Sequence, residues 1–178
     1  MRPHPPATRN ATETMDHAAL TLALYQPDIP QNAGTLLRSC ACLGVAAALI
    51  EPAGFPTSDK HFRRAGMDYL DAIELVRHAS FQAFQFWRTA EGPHRCLILL
   101  STAGEVPYWD VAYRPGDVLM VGRESAGVPP AVHAAADLRV TVPMRPPFRS
   151  LNVAVAASMV MGEALRQLHH PAAARPTP

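Results

Sequence analysis

Residues 20–44 read LTLALYQPDIPQNAGTLLRSCACLG: an apolar run, a proline-containing loop and an amphipathic stretch in direct succession. Leu20–Tyr25 is one of several short apolar runs that read as strands. Beyond the loop, Ala33, Leu36, Leu37, Cys40 and Ala41 recur at helical spacing and form one apolar stripe. Asn32 stands where a side-chain cap belongs, and Gly44 is the expected C-terminal stop. Gly34 and Arg38 lie one turn apart on the polar face. Helical side chains lean toward the N-terminus, so Arg38 is expected to lie back over Gly34 toward Asn32. A solvated arginine is the commoner fate of such a residue.

The same strand–helix alternation continues along the chain. Strands are expected at Ala46–Glu51, Ile73–Arg77, Arg95–Ser101, Asp117–Gly122 and Leu138–Val142, with helices at 33–43, 58–66, 80–88, 129–136 and 151–168. This pattern predicts a single α/β domain, with a mostly parallel sheet covered by helices on both faces. The eighteen prolines all fall in loops, tails or first turns, as such elements require. The polar, proline-containing ends 1–18 and 171–178 read as disordered tails, leaving 19–170 as the folded unit. The last helix differs from the first. From Leu151 to Met161 it is apolar or small nearly all round, which implies burial on several sides, in the core and in a subunit interface.

Composition excludes several classes. With 178 residues, 48% hydrophobic and 17% charged, the chain has enough apolar material for one core and is not a disordered protein. A net charge of +1 gives no global field for nucleic acid, so any RNA contact must be local. Fifteen of the sixteen cations are arginine, which fits GC-rich coding and also suits phosphate recognition. The densest cluster, Lys60, His61, Arg63 and Arg64, reads either as a solvated helix face or as a phosphate-contacting patch. Three cysteines without a CxxC pair, and eight histidines without ligand spacing, argue for reduced thiols and no metal site. Neither a signal peptide nor a membrane span is present, so a cytoplasmic protein without membrane association is expected.

Three loops follow strands, where open α/β sheets place their ligands. They are 26–34 (QPDIPQNAG), 122–129 (GRESAGVP) and 142–152 (VPMRPPFRSLN), the last with Ser150 as the expected cap of the final helix. Gly122 to Gly127 has phosphate-loop spacing but lacks the Lys-Ser/Thr that would grip a phosphate. GxGxxG and GxSxG are absent, which excludes the common dinucleotide and hydrolase sites. Singly, each loop is a weak signal. Jointly, Asn32-x-Gly34-x-x-x-Arg38, Gly122-x-Glu124-x-x-Gly127-x-Pro129 and Val142-Pro143-Met144 with Ser150-Leu151-Asn152 closely resemble the three motifs of SpoU-type (SPOUT) RNA 2′-O-ribose methyltransferases. The resemblance covers about residues 20–168. The runs LYQPDIPQNAG, IEPAGF and DKHFRRAGMDYLD resemble its minimal branch, which methylates cytidine or uridine 34 of tRNA. Thr35 departs from a frequent asparagine, without changing the class.

The resemblance implies a C-terminal trefoil knot in the SPOUT fold and a homodimer. It also implies S-adenosyl-L-methionine as methyl donor, with S-adenosyl-L-homocysteine as product and no metal. Backbone groups of Leu100, Gly122, Val142, Ser150 and Leu151 are the implied cofactor contacts. Arg38 matches the family's catalytic arginine, with Asn32, Glu124 and Asn152 around it. The implied substrate is the tRNA anticodon arm, of leucine isoacceptors, met by Lys60, His61, Arg63, Arg64 and Arg149. Because guanidinium stays protonated, Arg38 is expected to stabilise charge on the 2′-oxygen, with Asn32 orienting it. Two other functions fit the same fold: methylation of another tRNA or rRNA site, and RNA binding without catalysis.

Overall fold

The computed structural model describes residues 19–56, 73–90 and 95–169. The expected tails, the expected helix 58–66 and the Lys60, His61, Arg63, Arg64 cluster lie outside the described residues. Twelve elements are ordered β1 (Leu20–Tyr25), α1 (Pro30–Leu43), β2 (Ala46–Ile50), β3 (Leu75–His78), α2 (Phe81–Thr89), β4 (Leu97–Leu100), β5 (Val106–Pro107), a 3-10 turn (Tyr108–Asp110), β6 (Asp117–Val121), α3 (Pro130–Ala135), β7 (Leu138–Thr141) and α4 (Val153–His169). Seven strands form one sheet in the order β3-β2-β1-β6-β4-β7-β5. Every paired neighbour is parallel.

The two-residue period of a strand sorts the buried side chains between two layers. Leu22, Leu24, Leu119 and Val121 point to one face, where they share a core with Leu36 and Leu37 of α1 and Val160 and Met161 of α4. Ala23, Leu97, Leu99 and Met120 point to the other, against Phe84 of α2 and Val132 of α3. Both faces are therefore covered, and the strands read as continuous apolar runs. Arg88 of α2 is buried, and its guanidinium meets Asp137 at 2.7 Å and the Arg95 carbonyl at 2.8 Å. The same Asp137 oxygen accepts from the Leu97 amide, which ties α2 to the starts of β4 and β7.

Among the described residues the sequence expectations hold for element type and shift at the ends. Gly44 closes α1 with φ +68°, a conformation that suits residues without a Cβ. The start of α1 corrects the expected cap. The helix begins at Pro30, with Ile29 in the cap position, so Asn32 lies inside the first turn. Proline preset at the first helical position explains the earlier start. The start of α4 corrects a second cap. Asn152, not Ser150, ends the loop, and its Oδ1 accepts from the Ala154 amide at 2.9 Å and the Val155 amide at 3.4 Å. Gly34, expected on the polar face of α1, is buried. β5 was not anticipated, because two residues at a sheet edge carry no periodicity.

Phe84 and Phe86 offer a test of the packing within one helix. Phe84 is fully buried, whereas Phe86 is 78% exposed. Phe84→Ala should cost about 3–5 kcal/mol of unfolding free energy by urea titration. Phe86→Ala should stay within about 0.5 kcal/mol of the parent.

Candidate functional site

In a parallel sheet the carboxyl ends of the strands share one side, and loops after four of them converge there. The loop after β1 begins at Gln26, whose φ of +44° is unusual for a residue with a side chain. Its N–H donates to the Ile50 carbonyl at 2.9 Å, and its carbonyl accepts from Arg123 Nε at 3.3 Å. The turn is thus pinned from both sides. The loop after β6 closes on itself through two backbone bonds between Arg123 and Gly127, of 3.0 and 2.8 Å. A Cβ on Gly122 would stand 2.7 Å from the Gly127 carbonyl carbon, so no side chain fits at that position. The third loop runs from β7 through residues 142–152 to α4.

Four side chains join these loops. Asp28 accepts from the Glu124 amide at 3.0 Å and the Ser125 amide at 3.3 Å, and from the Ser125 hydroxyl. Glu124 in turn is hydrogen-bonded to Asn32. Asn152 donates from Nδ2 to Asn32 Oδ1 at 3.0 Å while its own Oδ1 caps α4. A continuous polar chain therefore runs from Asp28 through Glu124 and Asn32 to Asn152.

The two carboxyl groups in this chain are driven in opposite directions. Hydrogen bonding to the Glu124 side chain, then to Ser125 and the two amides, holds Asp28 well below the usual carboxylate range against its partial burial. Burial, and then the neighbouring Asp28, push Glu124 up, partly offset by donors including Asn32. Environments that separate two acids in this way assign them different jobs. Asp28 is a permanent anion that braces a loop. Glu124 is a carboxylate that gains from taking a proton.

The loops enclose a cleft of about 520 Å³, within the range of small-molecule sites. Eight of the residues expected from sequence line it. They are the polar Asn32, Glu124 and Asn152, and the loop positions Leu100, Gly122, Val142, Ser150 and Leu151. Ser101, Thr102 and Met144 add to the walls. Strand ends and tight loops present main-chain N–H and C=O groups here beside apolar walls, which suits a ligand with a polar edge and an apolar body.

Arg38 does not line this cleft. It sits on the exposed side of α1, two turns beyond Asn32. Arg149 is exposed on the 142–152 loop and also stands outside the cleft lining. Among the described residues no cluster of His, Cys, Asp or Glu is arranged to hold a metal. Asp28 was missed from sequence. An acid just before a helix is a visible signal, but its partners lie 96 and 97 positions away.

With the geometry in place, the relatives are informative. The SpoU rRNA methylase family profile matches residues 19–162. The chain belongs to that family. A tRNA (cytidine(34)-2′-O)-methyltransferase of Beijerinckia indica is 69% identical over 147 residues, covering 83% of this chain and 91% of that one. The enzyme of the same name from Escherichia coli K12 is 42% identical over 156 residues, covering 86% and 97%. Among solved structures, one concerned with 2-OH methylation of C/U34 on tRNA superposes with a TM-score of 0.78 at 41% identity, covering 83% and 95%. The SpoU methyltransferase AviRb from Streptomyces viridochromogenes, in complex with AdoMet, superposes at 0.79 with 26% identity, covering 91% of this chain and 62% of that one. The expected α/β architecture and family are therefore confirmed.

The opposed carboxyl groups make a testable pair. Asp28, held low, stabilises the fold above its unfolded pKa, and that contribution disappears as pH falls through its folded value. Glu124, held high, binds its proton more tightly when folded, so its ionisation costs stability as pH rises. At pH 7 Asp28→Ala should therefore lower unfolding free energy by about 1–3 kcal/mol, the scale of orphaned partners of a charged acceptor. Glu124→Gln should be at least as stable as the parent. Urea titration at pH 7 checks the Asp28 loss, and titrations at pH 5 and pH 8 check the sign for Glu124: the gain from Glu124→Gln should be larger at pH 8.

Proposed function

We propose that this chain uses S-adenosyl-L-methionine to methylate the ribose 2′-hydroxyl of cytidine or uridine 34 in tRNA, acting on leucine isoacceptors in the cytoplasm. The observation that carries the reading is the single cleft in which Asn32, Glu124 and Asn152 meet the loop residues Leu100, Gly122, Val142, Ser150 and Leu151. The relatives named for that reaction align over nearly their whole length. Among the described residues, no helix is long and apolar enough to cross a membrane. The family's C-terminal knot belongs to the same reading, and its support is that the loops after β6 and β7 wrap one cleft.

The cofactor fits the residues present. Leu100, Gly122, Val142, Ser150 and Leu151, which line the cleft, would hold it, largely through main-chain groups. When bound, S-adenosyl-L-methionine supplies a methyl group already activated on a sulfonium. What the chain must add is alignment of the acceptor oxygen and a place for its proton. Guanidinium cannot take that proton. Glu124 can: it lines the cleft, and burial favours its protonated form. Glu124 holds the proton that the hydroxyl loses and releases it to water afterwards. Asn32 and Asn152 fix the carboxylate and the start of α4 relative to each other.

Arg38 belongs to the substrate side of the site. From the outside of α1 it meets the ribose–phosphate backbone, which has no place among the cofactor contacts. Arg149, and the Lys60, His61, Arg63 and Arg64 cluster, are assigned to the anticodon arm as phosphate contacts. We also assign a homodimer. Its support is the outer face of α4, where Val155 is 50% and Met159 38% exposed beside a shallow groove shared with Asn32 and Thr35 of α1.

Nucleoside mass spectrometry of total tRNA tests the function. Deleting the gene should remove 2′-O-methylcytidine or 2′-O-methyluridine from position 34, and the parent gene should restore it. Loss at another tRNA or rRNA nucleotide, with position 34 unchanged, would overturn the assignment. A second expectation separates the roles of the side chains. Arg38→Lys keeps the charge but loses the planar fork. Turnover should fall by about 10²–10³-fold, the scale of one preorganised donor. Cofactor affinity by calorimetry should stay within about twofold. A fall in affinity equal to the fall in turnover would make Arg38 a structural residue.

A further inference from the structure

The loop from β7 to α4 enters the cleft wall at Met144 and rejoins it at Ser150. The five residues between them, Arg145 to Arg149, are all exposed. They form a tight turn in which the Phe148 amide donates to the Arg145 carbonyl at 3.1 Å. This places Arg145 and Phe148 at the two ends of one turn, with Arg149 next in line. The Phe148 ring is 71% exposed. A bare aromatic ring flanked in sequence by Arg145 and Arg149, on a loop anchored at both ends in a cleft wall, is not explained by packing. From residue 138 to 162 the sequence holds three arginines and no acid. The turn itself, Arg145 to Arg149, carries two of these arginines and no acid, on a chain whose net charge is only +1.

A ribose cannot deliver its 2′-hydroxyl into an enclosed cleft while its base remains stacked in an RNA loop. The nucleotide has to leave the stack, and proteins that extract nucleotides offer an aromatic face in exchange. We infer that Phe148 is a nucleobase-stacking residue at the cleft mouth, with Arg145 and Arg149 on the flanking phosphates of the same strand. The ligand class is a single-stranded segment of RNA next to the nucleotide being modified. Stacking is indifferent to base identity, because every base has a π-face. Phe148 therefore contributes affinity and extrusion, and leaves the choice of nucleotide to other contacts. The inference rests on the reading above that the acceptor is an RNA ribose, and it adds a residue which that reading does not use.

The test uses the full chain and an unmodified tRNA transcript, with single-turnover methylation measured against transcript concentration. Phe148→Ala should raise the half-saturating tRNA concentration by about 5- to 150-fold, equivalent to about 1–3 kcal/mol for one base–aromatic stack. Phe148→Trp should stay within about threefold of the parent, whereas Phe148→Leu, apolar but without a π-face, should behave like the alanine variant. Arg145→Gln and Arg149→Gln should each flatten the dependence of tRNA affinity on salt, by about 0.7 in log–log slope. Calorimetry with S-adenosyl-L-methionine and sedimentation of every variant should match the parent. Unchanged tRNA saturation in Phe148→Ala would overturn the inference, as would full rescue by leucine. A selective loss of cofactor affinity would make the ring a cofactor lid, and dissociation of an oligomer would make it a subunit contact. Either result also overturns it. Failure of the two proposals is distinguishable. If the parent methylates RNA elsewhere than position 34 and still depends on the ring, only the earlier assignment falls. If the parent methylates position 34 and the alanine variant saturates identically, only this inference falls.

Discussion

The carboxamide of Asn152 holds the site together. Its oxygen caps α4, satisfying two amides that a helix start leaves without partners, and its nitrogen donates to Asn32 in the first turn of α1. The two helices lie side by side on one face of the sheet, with Cys40 and Met161 in sulfur contact at 4.0 Å between them. Burial fixes their packing and pushes the Cys40 thiol up to about 12, which leaves it an apolar filler. One side chain thus sets where α4 begins and where Asn32 points. Asn32 passes that constraint to Glu124, and Asp28 passes it to the backbone of the loop after β6. Loops are ordinarily the mobile part of a fold. These are joined to one another by charged and amide side chains, and the cleft between them is largely formed in advance.

The chemistry follows from that rigidity. Under the proposed reaction, methyl transfer from a sulfonium would need little beyond alignment and a proton acceptor, and a site of fixed geometry with one perturbed carboxylate would meet both needs. The opposed fates of Asp28 and Glu124 show how a pair of acids can serve in two capacities within a few ångströms. Hydrogen bonding to the Glu124 side chain, and then to Ser125 and the two amides, keeps Asp28 charged, so it braces. Glu124 is desolvated beside that charge, so it favours protonation. Exchanging their environments would leave the composition unchanged and reverse which acid favours its proton. Arg38 stands on the exposed side of α1, outside the cleft lining.

Much of this was legible in the chain. Strand and helix types followed from the residue pattern: the apolar run Leu20–Tyr25 reads as a strand, and the Ala33, Leu36, Leu37, Cys40 stripe declares one helix face without any three-dimensional knowledge. Helix starts were less legible. Asn32 and Ser150 both look like caps by residue type, but Pro30 begins α1 earlier and Asn152 begins α4 later. Several residues in a row can serve as a cap, and local propensity does not choose among them. Gly34 was misread for a related reason. A residue without a side chain carries no polarity signal, and it was assigned to the polar face by its neighbourhood.

What the sequence by itself determined is the alternation of buried strands and amphipathic helices, and the three loops whose residue types mark a ligand site. Those properties depend on short-range periodicity and turn chemistry, which a linear chain carries. Only the tertiary structure decided which of these loops touch, and with what consequence. Asp28 reaches amides about a hundred positions away, Glu124 is raised by burial and by a neighbour that no spacing predicts, and Arg38 stands on the exposed side of α1 outside the cleft lining. Charge, burial and proximity are properties of the assembled sheet. They arise only when parallel strands bring distant loop ends to the same side.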